Sequence, residues 1–235
     1  MQSRLFILIS LISLISITGL YAYAVTLDVT SVGEIEDDSD KLLEAVLGTA
    51  IYTVGSSTYV VAASEDEHGI EIIDISDPTS PTSVGRVVDG TDTGVCTGNP
   101  PSGEKCLHNV KGVRTTTIND KTYVIASGQN DDGIEIIDIS DPTNPTHLVS
   151  ITDDDPNCST DGDAGCELDG PSYIAISTIG TSTYVIVTGQ DDDGIQIIRL
   201  CEDCETVGTT VLTTSSSASS SSTCARLVIL GNCGQ

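Results

Sequence analysis

The sequence predicts an all-β, β-propeller-like fold with three complete four-stranded blades and an incomplete fourth, and two observations lead to this prediction. The first is an internal repeat in which the segments TYVVAAS and GIEIIDISDP recur with small changes, the third copy being degenerate. The second is composition, because 235 residues without Trp and rich in Val, Ile and Thr suit strands. The copies of the two segments begin at Thr58, Thr122 and Thr183, and at Gly69, Gly133 and Gly194.

Each unit contains four predicted strands. The two repeated segments form a hairpin around an acidic turn, since each is a short apolar run typical of buried strands. An Asp-Pro-Thr-x-Pro stretch at 77–81 and 141–145 ends this hairpin, because proline cannot donate a ladder hydrogen bond. Another strand follows at 83–88 or 147–151, then a long polar loop, then a strand near 110–116 or 172–177. We therefore expect repeats over 25–204, with blades at about 29–77, 81–141 and 145–200.

The end of the chain predicts a fourth, incomplete unit. Residues 206–212 resemble residues 83–88, but a Ser-rich linker follows at 213–223, so 205–235 is an incomplete repeat that carries a cysteine pair. Closed propellers typically need at least four blades, and an open sheet edge is a template for pairing. The sequence therefore favours either a homo-oligomer formed through open sheet edges or a truncated paralogue without activity of its own.

The repeated strands resemble those of the LVIVD-repeat proteins. The resemblance lies in segments such as Ile72-Ile73-Asp74-Ile75 with the Ser-Asp-Pro that follows, and it covers most of residues 29–200 three times over. It implies a β-propeller, and members are commonly exported or surface proteins whose molecular function is poorly defined. This chain departs from the ordinary pattern by longer units, with a cysteine-bearing insertion between two strands of each blade.

Charge and the N-terminal segment indicate where the protein works. With 35 acidic against 9 basic residues the formal charge is -26, which excludes nucleic acid as a partner because binding to phosphates requires a basic face. Residues 1–24 have the pattern of a secretory signal: Arg4, an apolar run, and the small-x-small site Ala22-Tyr23-Ala24. An uncleaved anchor is the alternative. We expect a secreted or cell-surface protein that is not inserted in the membrane after signal cleavage.

All eight cysteines follow the signal segment, and an even number in an exported chain favours disulfides. Two pairs each bracket a polar inserted loop, and a third falls in the incomplete repeat, which leaves a CxxC pair. The acidic neighbours of that CxxC disfavour a reactive thiolate. The expected disulfide residues are Cys96 with Cys106, Cys158 with Cys166, Cys224 with Cys233, and Cys201 with Cys204.

Two groups of carboxylates are candidate calcium ligands, since hard cations bind several oxygens. The first group lies in the hairpin turns, where the alternative is an ordinary Asp-Gly turn. The second lies in the inserted loop of the second unit, where a solvated acidic loop is the alternative. The three histidines, His68, His108 and His147, occupy different positions in their units, which argues against a histidine metal triad. The calcium candidates are Asp131, Asp132, Asp191, Asp192 and Asp193, and Asp161, Asp163 and Glu167.

No nucleophile elbow, phosphate loop or dinucleotide motif is present in the sequence, and we assign no catalytic residue. The favoured hypothesis is a non-catalytic binding or interaction module whose loops contact a protein or a cell-surface glycan. The alternative in another class is a calcium-dependent hydrolase or lyase of propeller type.

Overall fold

The computed structural model describes residues 29–89, 106–153 and 166–200. These residues form eleven β-strands and one 3-10 turn, Gln129–Asp131, and no α-helix, so the all-β prediction is confirmed. The signal segment and the incomplete repeat lie outside the described residues. The strands are β1 (Val46–Val54), β2 (Ser57–Ser64), β3 (Gly69–Asp74), β4 (Thr82–Val88), β5 (Val110–Ile118), β6 (Lys121–Gly128), β7 (Gly133–Asp138), β8 (Thr146–Thr152), β9 (Pro171–Ile179), β10 (Ser182–Gly189) and β11 (Gly194–Leu200).

The strands form three antiparallel sheets in which chain neighbours are also sheet neighbours. The first sheet is β1-β2-β3-β4 and the second is β5-β6-β7-β8. The third sheet consists, within the described residues, of β9-β10-β11. Equivalent strands pair in the same register, since Tyr59 faces Asp74 in the first sheet as Tyr123 faces Asp138 in the second. The repeat in the sequence therefore corresponds to two four-stranded, propeller-type sheets and, within the described residues, a three-stranded third sheet, not to the three complete four-stranded sheets that were predicted.

The hydrogen bonds divide the chain at different points from the predicted blades. The strand after each Asp-Pro stretch pairs with the strand before it, β4 with β3 and β8 with β7, so the sheets span 46–88, 110–152 and 171–200. The predicted boundaries of 29–77, 81–141 and 145–200 cut through this hairpin. The cysteine-bearing insertions consequently lie between successive sheets and not between two strands of one sheet.

The Asp-Pro stretch is a tight reversal because its Asp organises the turn. The hydroxyl of Thr79 donates to Asp77 Oδ1 at 2.6 Å, and the backbone N–H of Thr79 donates to the same atom at 2.9 Å. These two bonds lower the pKa of Asp77, the hydroxyl contributing more. Asp141 and Thr143 repeat the arrangement. Short reversals of this kind join neighbouring antiparallel strands, which explains why β3 and β4 share a sheet.

Successive sheets pack face to face through isoleucines of the repeated GIEIID strand. We call front the face of each sheet that meets the next sheet along the chain, and back the face that meets the preceding one. Both faces of this strand are buried in the second sheet, which explains its nearly continuous apolar sequence. The front residues Ile70 and Ile72 pack with the back residues Ile137 and Ile139, and the front residues Ile134 and Ile136 pack with the back residues Ile198 and Leu200.

The inner strands β1, β5 and β9 approach one another through glycine. A Cβ on Gly48 would lie 2.7 Å from the carbonyl oxygen of Lys111, and a Cβ on Gly112 would lie 2.7 Å from that of Ser172. The equivalent residue of the third sheet is Tyr173, which is 75% exposed. The third sheet thus carries a large side chain at the position where the first two sheets need a glycine, which has no side chain, in order to pack.

A second glycine contact joins the outer strand β4, and the segment that precedes β1, to an Asp-Pro turn. A Cβ on Gly85 of β4 would collide with the carbonyl oxygen of Pro142, and a Cβ on Gly33 would collide with that of Pro78. The two glycines therefore occupy the same place in successive units. Backbone atoms line the contact, so the neighbour cannot move aside by a side-chain rotation.

We expect Gly85→Ala to destabilise the fold by about 1–3 kcal/mol, because the added methyl group overpacks this contact. Urea denaturation followed by circular dichroism measures the change. Ser80→Ala, an exposed position in the first Asp-Pro turn, is the control and should leave the midpoint unchanged. Equal midpoints for both variants would contradict the packing described.

Candidate functional site

Two fully buried glutamates anchor the segments that precede the inner strands. Glu71 Oε2 accepts a hydrogen bond from the backbone N–H of Leu42 at 3.1 Å, and Ser83 donates to Oε1 of the same carboxylate. Glu135 accepts bonds from Ser150 Oγ and the backbone N–H of Cys106, and pairs with His147. These carboxylates are surrounded by their own donors, as buried charges must be. Their role in the described sheets is structural.

The acidic hairpin turns repeat a second backbone contact. The N–H of Glu44 donates to Glu67 at 3.1 Å, that of His108 to Asp131 at 2.8 Å, and that of Asp169 to Asp192 at 2.7 Å. The last residue before the turn glycine is left-handed in every copy, with φ of 55° at His68, 48° at Asp132 and 55° at Asp193. Asp and Asn adopt this conformation more readily than most residues, which explains the aspartate at two of these three positions.

These turns bring together side chains from consecutive repeats at two equivalent places. We call the first junction the group between the first and second sheets, and the second junction the group between the second and third sheets. Each junction contains one residue from the acidic hairpin turn of a sheet and one that follows the last strand of that sheet, β4 or β8. The other two come from the next sheet: one precedes its inner strand, β5 or β9, and one lies in its acidic hairpin turn. The first junction is His68, Asp89, His108 and Asp131, and the second is Asp132, Asp153, Asp169 and Asp192.

The first junction combines imidazole and carboxylate groups. Single ligand atoms of Asp89, His108 and Asp131 lie within 4.8 Å of one another, and Asp131 is almost fully buried. The rings of His68 and His108 are 4.2 Å apart between centroids and meet edge to face at 66°. The backbone N–H of Asn109 donates to His68 Nδ1 at 3.1 Å. Three donor groups of types that bind metals therefore converge here.

The second junction is built from carboxylates alone. The N–H of Gly170 donates to Asp132 Oδ1 at 3.1 Å, in the place of the bond from Asn109 to His68. Burial is the largest cause that raises the pKa of Asp169, followed by the charges of Asp132 and Asp192. The same backbone frame thus holds two imidazoles in one junction and only carboxylates in the other.

The structure places the candidate calcium ligands at several different points, and calcium binding by them stays a prediction. It places Asp131 in the first junction and Asp132 and Asp192 in the second, each with a backbone bond. Asp191 lies beside the second junction, where its charge raises the pKa of Asp169. Asp193 is the left-handed turn residue, and Glu167 is exposed, its N–H donating to Gln196. The remaining candidates, Asp161 and Asp163, lie outside the described residues.

Sequence reasoning missed the pairing of His68 with His108. Within a single unit the two residues occupy unrelated positions, and the contact forms only between consecutive units. The signal was nevertheless present: His68 aligns with Asp132, and His108 aligns with Asp169. The position of His68 in one repeat lies beside the position of His108 in the next repeat. Recognising these two positions as neighbours would have paired the histidines.

A separate cavity of about 370 Å³ opens where the inner strands begin. It is lined by Leu47, Lys111, Ser172, Tyr173, Gln129 and Gln190. Leu47, Lys111 and Ser172 are the same position of three repeats, and Gln129 and Gln190 are a second repeated position. The amide of Gln129 donates to Gln190 at 3.5 Å, and Lys111 pairs with Glu65. The cavity thus offers amides, a hydroxyl and an exposed aromatic ring.

Cys106 and Cys166 are buried and disulfide-bonded. The other six cysteines lie outside the described residues, so the pairing scheme stays a prediction.

Among the described residues, no helix has the length and apolar character to cross a membrane.

One sequence family matches the repeated strands. The sequence pattern of the LVIVD repeat matches residues 58–89 and 123–153, which run from β2 to the end of β4 and from β6 to the end of β8. The chain is therefore an all-β, propeller-like protein with LVIVD repeats. The resemblance seen in the sequence is confirmed.

Among solved structures, the chain is similar to "Bacteroides ovatus Xyloglucan PUL GH43B". The TM-score is 0.39 at 11% identity, and the match covers 68% of this chain and 32% of that one. The chain therefore spans about a third of that structure. No curated protein matches the sequence.

We expect Glu135→Gln to be tolerated better than Glu135→Ala. The third repeat has Gln196 at this position, where its Oε1 accepts a bond from the N–H of Glu167 at 3.1 Å, so an amide can replace the carboxylate. Glu135→Gln should cost about 1 kcal/mol, and Glu135→Ala about 2–4 kcal/mol because it leaves buried donors unsatisfied. Urea denaturation compares the two, and equal losses would refute the anchoring role.

We expect Asp169→Asn to stabilise the protein near neutral pH. The raised pKa means that the ionised carboxylate disfavours the folded state, so the penalty is absent at acidic pH and complete above the raised pKa. The melting temperature of Asp169→Asn should exceed that of the wild type near pH 7, with the difference vanishing near about pH 3. Asp120→Asn, at an exposed turn, is the control. A pH-independent difference would contradict the electrostatic cause.

Proposed function

We propose that this protein is an exported, non-catalytic binding module that holds a neutral glycan in the cavity at the inner strands. The observation that carries the proposal is Tyr173. It replaces the glycine that the first two repeats need for packing, and it exposes its ring beside the cavity. An exposed aromatic ring surrounded by amide and hydroxyl groups matches the apolar faces and hydroxyls of a sugar ring.

The charges of the lining favour a neutral ligand. Among the described residues that line the cavity there is no carboxylate, and the one cation, Lys111, pairs with Glu65. A cationic ligand would therefore find no carboxylate partner among these described lining residues. The formal charge of -26 on the chain would repel sialylated or sulfated glycans. The cavity volume lies within the range of small-molecule sites.

Export is the second part of the proposal. It is supported by the signal pattern of residues 1–24 and by eight cysteines, of which the two in the described residues are disulfide-bonded. A secreted or surface location would also bring the cavity into contact with cell-surface glycans.

A glycan microarray probed with the secreted, disulfide-bonded protein tests the proposal. We expect retention on neutral glycans and none on sialylated or sulfated ones. Tyr173→Ala should weaken binding to the retained glycans by at least about tenfold, which corresponds to loss of one stacking contact. Thr178→Ala, at an exposed position of the same strand, should bind as the wild type does. The proposal fails if no neutral glycan is retained, or if Tyr173→Ala and Thr178→Ala bind equally.

A further inference from the structure

We propose that the first junction binds one divalent transition-metal ion of the zinc type through Asp89, His108 and Asp131. The site is independent of the cavity and of the proposed glycan ligand. Its ligand set is one imidazole and two carboxylates, which leaves a tetrahedral ion one position for water or a further ligand.

The donor atoms are already close enough to converge on one ion. Zinc binds nitrogen and oxygen at roughly 2.0–2.2 Å, so tetrahedral ligands lie roughly 3.3–3.6 Å apart. The atoms of Asp89, His108 and Asp131 lie within 4.8 Å of one another. Small rotations about the side-chain bonds of Asp89 and His108 therefore bring them to binding distance.

The environment holds these side chains in place. Asp131 is buried, and one of its oxygens accepts the backbone N–H of His108 at 2.8 Å. A carboxylate offers about four lone-pair positions, so an oxygen of Asp131 can bind an ion while the same carboxylate also accepts hydrogen bonds. The ring of His68 packs edge to face on that of His108, and its Nδ1 accepts the N–H of Asn109. Because Nδ1 is engaged by this bond, His68 orients His108 without being a ligand through that atom.

The second junction shows that the fold itself does not require imidazole here. Asp132 accepts a backbone N–H bond equivalent to the one that His68 accepts. Asp169 occupies the position of His108, and its N–H likewise donates to the next hairpin turn. Turn formation is thus satisfied by carboxylates alone. The imidazole of His108 adds a nitrogen ligand that the backbone does not use. Nitrogen ligands favour zinc over calcium and magnesium, which prefer oxygen.

Isothermal titration of the secreted, disulfide-bonded full chain with Zn²⁺ tests this site. We expect one zinc ion per chain. His108→Gln and Asp89→Asn should each weaken its affinity by at least about tenfold, because loss of a residue that merely supports a ligand already costs about 10–100-fold. Asp153→Asn, the matching change in the second junction, should leave the affinity unchanged. Titration with Co²⁺ gives a second readout, because tetrahedral nitrogen and oxygen ligation produces visible absorption that His108→Gln should abolish.

Three results would overturn the proposal. These are no stoichiometric zinc binding by the wild type, zinc binding by His108→Gln as tight as that of the wild type, and displacement of the zinc by an equal concentration of Ca²⁺. His108 and Asp89 are half-buried, and Asp153→Asn is an equivalent substitution in the second junction. Melting temperatures of all three variants therefore separate loss of the site from loss of the fold.

Discussion

Packing of the front face of one sheet on the back face of the next is the contact on which the rest of this protein depends. Ile70 and Ile72 are fully buried only because the second sheet covers them, while the equivalent Ile195 and Ile197 of the third sheet are more than half exposed. Each such isoleucine contributes roughly 1.5–3 kcal/mol when buried. Propeller-type sheets of this kind are therefore stable as an array and gain little of their stability alone. The glycines at the inner strands and at the Asp-Pro turns exist to permit this approach.

The same packing creates the two places where chemistry can occur. Turns of one sheet meet the approach segment of the next, so side chains 40 residues apart, such as His68 and His108, come into contact. The inner strands β1, β5 and β9 approach one another at equivalent positions, and residues near the starts of these strands line the cavity. Both places are built from repeated positions, and what differs between them is the residue type that each repeat supplies. Tyr173 in place of glycine and His108 in place of aspartate are the substitutions that distinguish one copy from another.

Much of the fold could be predicted from the sequence, because the repeat and the apolar runs are local signals. The strands near 83–88, 110–116, 147–151 and 172–177 are β4, β5, β8 and β9. The limits of each sheet could not be predicted, because a repeated sequence does not show where one unit ends and the next begins. The hydrogen bonds between β3 and β4 set this boundary, since they place both strands in the same sheet. The acidic turns were recognised, but not their backbone contacts. The junctions were missed because they form between consecutive repeats, and spacing within one repeat does not reveal them.

The central claim is that consecutive repeats pack so that their turns and approach segments form one junction. Nuclear Overhauser contacts between the imidazole protons of His68 and His108 test it most directly, and only three histidines need assignment. The centroid distance of 4.2 Å predicts a strong contact between the two rings in the folded protein. A folded chain with intact strand contacts but no contact between these rings would contradict the account.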